Sequence, residues 1–172
     1  MTSRAVAFAA LVAAIGFLNA AVVPAWAEGG DEAALAAAMK NASATLQGGL
    51  KASEAQGTPI SAKFEIDDGK LQLSVYTMKG SDFIEVVADP YTGAIAKAEK
   101  ITDADDLKEA ADQKAAMAKA KTSLAAAADA AVKENSGFRA VSIFPDLRDG
   151  HAIAEVTLLQ GTTAKKVTEK LD

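Results

Sequence analysis

The chain of 172 residues has no cysteine, a single histidine, four prolines and only 5% aromatic side chains. Without thiols there are no disulfides, thiolate metal centres, cysteine nucleophiles or lipids attached through cysteine. One imidazole, His151, cannot supply the several nitrogen or sulfur ligands of a zinc or haem site. A serine hydrolase would need His151 as base to a defined Ser, and no Gly-x-Ser-x-Gly elbow occurs. The Gly-Lys-Ser/Thr loop that cradles phosphates is also missing. Basic side chains number 18 against 23 acidic ones, a net charge of −5, so no broad face exists for neutralising nucleic-acid phosphates. No enzyme, metal, cofactor or nucleic-acid partner is expected.

Alanine dominates what is present. Its 41 residues make up about half of the hydrophobic class, and alanine favours helices while burying little area, so the core is modest. Arg4 precedes an apolar run over Ala5–Leu18, followed by Ala20–Val23 and Pro24-Ala25-Trp26-Ala27. Small residues at Ala25 and Ala27 suit signal peptidase, so residues 1–27 are expected to be a signal peptide cleaved after Ala27. Removal would leave a periplasmic protein of 145 residues with a net charge of −6 and no stable membrane insertion.

The remainder reads as one unit written twice, over residues 28–101 and 102–172. In the first, Leu35, Met39, Ala42, Leu46 and Leu50 recur at helical spacing. The pair Gly48-Gly49 should weaken that helix, and Gly57 with Pro59 ends it. Alternation then takes over: Ile60, Ala62, Phe64 and Ile66; a turn at Asp67-Asp68-Gly69; Leu71, Leu73 and Val75. Lys79-Gly80-Ser81 leads into Phe83–Ala88, Asp89-Pro90-Tyr91-Thr92-Gly93 forms a turn, and Ala94–Ile101 supplies a fourth strand.

In the second unit, Thr102 or Asp103 caps a helix carrying Asp105 and Asp106 in its first turn. A helical stripe runs from Leu107 to Asn135, roughly 45 Å at 1.5 Å per residue. That is too long for four strands to cover, so the polar section Asp112–Lys121 is expected to connect the halves or project. Strands follow around Val141–Phe144, Ile153–Leu158 and Thr162–Leu171, with turns at Asp149-Gly150 and Gln160-Gly161. Asp68-Gly69 and Asp149-Gly150 stand 81 positions apart, as do Val75 and Val156, which marks an internal repeat. The expected fold class is α+β: two tandem helix-then-antiparallel-meander units, each with its helix packed across a small antiparallel sheet.

The strand Val86-Val87-Ala88 closing on Asp89-Pro90-Tyr91-Thr92-Gly93, after a helix ended by Gly57 and a hairpin at Asp67-Asp68-Gly69, resembles the PepSY domain. That family's usual signature is a strand ending in Asp-Pro-x-Thr-Gly. The resemblance spans residues 40–101. It weakens over 120–172, where Gln160-Gly161-Thr162 offers no such turn. It implies a helix lying across an antiparallel sheet, export, and a regulatory module of the kind found in propeptides of secreted metallopeptidases, with no catalytic residues to carry over.

Acidic pairs such as Asp67-Asp68 point to different faces and make poor acid–base partners. Asp103, Asp105, Asp106 and Glu109 lack the glycine of a calcium loop and read better as an acid-rich helix start. Tyr76, Met78, Phe83, Phe138 and Phe144 are expected to fill space between helix and sheet, and Tyr91 to stay exposed in its turn. Phe83 and Tyr91, on the Lys79–Gly93 hairpin, are the candidate partner-binding residues, with strand addition at that hairpin as the mechanism. Three function classes stay open: a binding or regulatory module for a peptidase or other envelope protein, a structural module that self-associates as a homodimer, and a binder of a small ligand or cation.

Overall fold

A computed structural model describes residues 31–172; the expected signal peptide over 1–27 lies outside the described residues. The element order is α1 (Asp31–Met39), α2 (Leu46–Ser53), β1 (Thr58–Asp67), β2 (Lys70–Lys79), β3 (Asp82–Ala88), β4 (Ile95–Lys100), α3 (Ala104–Met117), α4 (Leu124–Glu134), β5 (Arg139–Arg148), β6 (His151–Gln160) and β7 (Thr163–Lys170). The architecture is α+β, with helices packed on one antiparallel sheet ordered β4-β3-β2-β1-β5-β6-β7. The two sequence units do not keep separate sheets. β1 pairs with β5, setting Ala62 opposite Ile143 and Lys63 opposite Ser142.

Ala62 and Ile143 are themselves 81 positions apart, so a pseudo-twofold axis passes through that pair. The same offset governs every feature of the two meanders. The first hairpins turn through two residues of positive φ, Asp68 (47°) and Gly69 (74°) in one unit, Asp149 (51°) and Gly150 (83°) in the other, a geometry that matches strand twist. The second hairpins turn at Gly80 and Gly161. One bulge interrupts β1 between Pro59 and Ser61, and one interrupts β5 between Ala140 and Ser142. The bulged residues, Ile60 and Val141, keep the offset, and the second bulge accounts for the irregular alternation of Val141, Ile143 and Phe144.

The helices repeat with an offset of 78. Thr45 caps α2 through its hydroxyl, which accepts from the Gly48 N–H, and Ser123 caps α4 by accepting from the Ala126 N–H. Leu46 corresponds to Leu124, Leu50 to Ala128 and Gly49 to Ala127, all buried. α4 is three residues longer (11 against 8), which absorbs the difference between the two offsets. Gly49 sits where α2 meets the sheet: a Cβ there would stand 2.3 Å from Leu73 Cδ2. The glycine that weakens the isolated helix thus lets it approach β2.

Strand alternation divides the side chains between two faces. Leu71, Leu73 and Val75 of β2 join the main core with Leu46, Leu50, Leu124, Ala128, Ile143, Val156 and Leu158, beneath α1, α2 and α4. Tyr76 points the other way into a smaller cluster with Ile60, Ile101 and Ala110, flanked by Met78, Phe83 and Leu107. That cluster lies under α3. The expected helix of about 30 residues is therefore two helices on opposite faces. The intervening residues pass around the end of β7, where the Lys121 and Thr122 N–H groups donate to Leu171 O at 2.6 and 2.9 Å. The polar section Asp112–Lys121, expected to connect the halves or project, lies partly in α3, which runs to Met117, and partly in this crossing. The expected first helix is likewise divided, into α1 and α2.

Arg139, the first residue of β5, holds the loop between α1 and α2. Its guanidinium donates to the carbonyls of Met39 (3.0 Å), Ala42 (2.9 Å) and Ala44 (2.7 Å) and lies 5.7 Å from the Phe64 ring. Burial holds its pKa below the ordinary arginine value, and the planar fork reaches three carbonyls of this segment, of which Met39 O also accepts from the Ala42 N–H. Arg139→Ala should lower unfolding stability by about 2–3 kcal/mol, because three charged hydrogen bonds to this loop are lost. Arg139→Lys should recover only part. Urea unfolding with an unchanged m-value checks both.

Candidate functional site

The Asp89–Gly93 turn is built by its own side chains. The Asp89 carboxylate Oδ1 accepts from the Tyr91 N–H (3.0 Å), the Thr92 N–H (2.7 Å) and the Thr92 hydroxyl (2.9 Å). These bonds hold its pKa below the usual carboxylate range. The Gly93 N–H donates to Asp89 O at 2.8 Å, and the Asp89 N–H to Ala94 O at 2.8 Å. Pro90 is buried, and its carbonyl accepts from the Ala44 N–H at 3.0 Å. The Ser43 hydroxyl donates to Tyr91 O. The turn therefore clasps the loop that caps α2, and beside it lies a shallow cleft lined by Ser43, Thr45, Gly48, Thr92 and Gly93. Four residues of the Asp-Pro-x-Thr-Gly pattern are occupied in forming this clasp. Tyr91, the variable position, remains 51% exposed.

Phe83 occupies a different environment. It packs half-buried against the small cluster under α3, with Lys114 Nζ 5.9 Å from its ring. Phe83 and Tyr91 thus lie at opposite ends of the β3 segment and do not form one surface. The expectation of strand addition at the Lys79–Gly93 hairpin is corrected by the sheet order. β3 is hydrogen-bonded to β2 on one side and to β4 on the other, so no free edge is available there.

A polar layer lies on the α3 face. Lys63 pairs with Glu65 at 2.5 Å, and Gln72 Nε2 donates to Glu65 Oε1 and Ser74 Oγ, both at 3.1 Å. Ser74 in turn bonds Glu85, whose pKa is nevertheless raised, chiefly by burial. The Tyr76 hydroxyl donates to Asp106 on α3. Burial first, and then the charges of Asp106 and Glu85, raise the Tyr76 pKa. Burial and Asp103 raise the Asp106 pKa. Burial, with Asp106 beside it, pushes Glu109 up to about 7. Asp106 Oδ1 and Gln113 Oε1 are buried with no hydrogen-bond partner. The helical stripe that begins at Leu107 marks the apolar contact face of α3 and gives no sign of the polar side chains that meet it.

The acid-rich start of α3 behaves as a helix cap, with Asp103 accepting from the Asp105 and Asp106 N–H groups at 2.9 and 3.3 Å. His151 is exposed, with Nδ1 2.6 Å from Asp172 Oδ2. Among the described residues, no three His, Cys, Asp or Glu side chains gather in a way that could hold a metal ion. No described helix is long and apolar enough to cross a membrane.

The family model described as "Peptidase propeptide and YPEB domain", PepSY, matches residues 31–99, from α1 into β4. Among solved structures, that of a "putative lipoprotein" from Clostridium difficile 630 is 18% identical over 69% of this chain and 87% of its own, with a TM-score of 0.33. No curated protein matches.

Because Glu109, Asp106 and Glu85 have raised pKa values, the α3 face contributes most stability below the ordinary carboxylate pKa and loses it as pH rises through about 7. Lys63 and Lys108 offset only part of the repulsion from Asp103, Asp105 and Glu65. Glu109→Gln should stabilise the protein at pH 8 by no more than about 1 kcal/mol, since solvent screens this half-exposed group, and should leave it unchanged at pH 4. Thermal unfolding at the two pH values measures the difference.

Proposed function

We propose that the protein is an exported, non-catalytic binding module of the cell envelope that regulates a peptidase or another protein partner. In this reading the clasped Asp89–Gly93 turn presents Tyr91 as the contact. The PepSY match supports it, since the family description is that of a peptidase propeptide. The observation that carries it is the division of labour within the signature: Asp89, Pro90, Thr92 and Gly93 are committed to internal bonds or packing, while the aromatic ring between them stays exposed. An aromatic side chain on a pre-ordered turn adds contact area with little ordering cost, which is the usual character of a binding hot spot.

A photo-crosslinking side chain placed at position 91, in the cell of origin, is expected to yield an adduct with an envelope protein. The same group at Ser81, exposed in the turn at the far end of β3, should yield none. Tyr91→Ala should weaken binding of the purified partner about tenfold or more without changing the melting temperature. Equal affinity for both forms would remove Tyr91 from the interface. Export itself is tested by an alkaline phosphatase fusion, which is active only beyond the inner membrane.

A further inference from the structure

The pseudo-twofold symmetry compares two strand edges that are filled differently. β3 carries β4 on its outer side, with Ile84 opposite Lys100, Val86 opposite Ala98 and Ala88 opposite Ile95. An offset of 81 maps β3 onto β7 and Val86 onto Val167. Among the described residues β7 pairs with β6 on one side and with no strand on the other. The eight residues Thr163–Lys170 thus present a free row of backbone donors and acceptors.

The side chains on that edge are self-complementary. When two β7 strands run antiparallel about Val167, Lys165 of each stands opposite Glu169 of the other, Val167 faces Val167, and Lys166 faces Thr168. Lys165, Val167 and Glu169 share the face of the main core, being opposite Leu158, Val156 and Ala154. Glu169 is half-buried, and burial together with Glu134 raises its pKa. A cation brought against it would relieve both effects. The head-to-tail alternative, β4 of another copy on β7 in the register β4 uses on β3, would set Lys100 against Lys165 and build an open array.

We propose that the outer edge of β7 is a docking surface for a second copy of this chain, the two strands pairing antiparallel about Val167 to join both sheets into one. The arrangement closes on itself and leaves no free β7 edge. One added ladder buries less than the roughly 1,200–2,000 Å² of a standard stable interface, so the dimer is reversible and concentration-dependent. It does not rest on the role given to Tyr91, which lies in the other unit.

Because the chain has no cysteine, Val167→Cys places a lone thiol on the proposed axis, where facing Cβ atoms of an antiparallel pair come within about 5.5 Å. Mild oxidation should convert most of this variant to a disulfide-linked dimer, whereas Ser81→Cys, at an exposed hairpin tip, should stay monomeric. Sedimentation of the unaltered chain should show a monomer–dimer equilibrium. Lys165→Glu should raise its dissociation constant about tenfold or more, and Lys165→Glu with Glu169→Lys should restore it. A chain that stays monomeric up to millimolar concentration would overturn the proposal. So would a dimer that the thiol fails to trap and the charge variants leave unchanged.

Discussion

The short ladder between β1 and β5 is the constraint on which the rest of the structure depends. Only Ala62 with Ile143 and Lys63 with Ser142 are paired across it, yet this junction makes two meanders into one sheet. So short a ladder cannot hold the halves by backbone hydrogen bonds alone, each of which contributes only about 0.5–1.5 kcal/mol net. The junction is held by what covers it. On one face Leu46, Leu50, Leu124 and Ala128 pack with Ala62 and Ile143 in a single core. From the second unit, Arg139 reaches back to the first and binds three carbonyls there. Separating the units would expose that core and break those three hydrogen bonds, so neither half is an independent domain in the energetic sense.

Much of this was legible in the sequence because turns and alternation are local signals. Asp68-Gly69 and Asp149-Gly150 announce two-residue hairpins wherever they stand, and their constant spacing announces the repeat. The stripe Leu35, Met39, Ala42, Leu46 and Leu50 is buried throughout, although the chain leaves the helix between Met39 and Leu46. What could not be read were features decided by distant partners. Alanine-rich stretches keep a helical rhythm through a change of sheet face, so the polar section Asp112–Lys121 hints at a connection without showing that α3 and α4 lie on opposite faces. A lone arginine opening a strand reads as solvated charge until its three carbonyl partners are known. The polar layer of Lys63, Glu65, Gln72 and Glu85 reads as the wet side of a sheet until α3 is laid across part of it.

The candidate site shows a further reason why a motif can be recognised without its role being understood. Asp-Pro-x-Thr-Gly looks like a chemical constellation, with a carboxylate and a hydroxyl side by side. Its geometry is that of a structural clasp: one carboxylate oxygen accepts from two N–H groups and a hydroxyl of its own turn, which lowers its pKa. The clasp docks onto the loop that caps α2, since Pro90 O receives the Ala44 N–H. The second unit makes the equivalent bond without the motif, Thr122 N–H to Leu171 O. What recurs is the tie between the last core strand and the helix cap, and the signature is one way of making it.

The two units also differ where symmetry would demand sameness, and the differences are physically connected. After β4 the first unit continues into α3, which crosses the polar face and covers Tyr76 and Ile60. Ile60 has its bulge partner in Val141, but Val141 joins the main core. Equivalent backbone kinks therefore aim their side chains into different clusters. α3 is thus a consequence of apolar groups gathered at one end of one face, among them Met78, Phe83 and Leu107, with a ring of carboxylates around them whose repulsion grows as they ionise. α2 and α4 are anchored in the larger core, whereas α3, the element that breaks the symmetry, packs on the smaller one beside that layer of carboxylates.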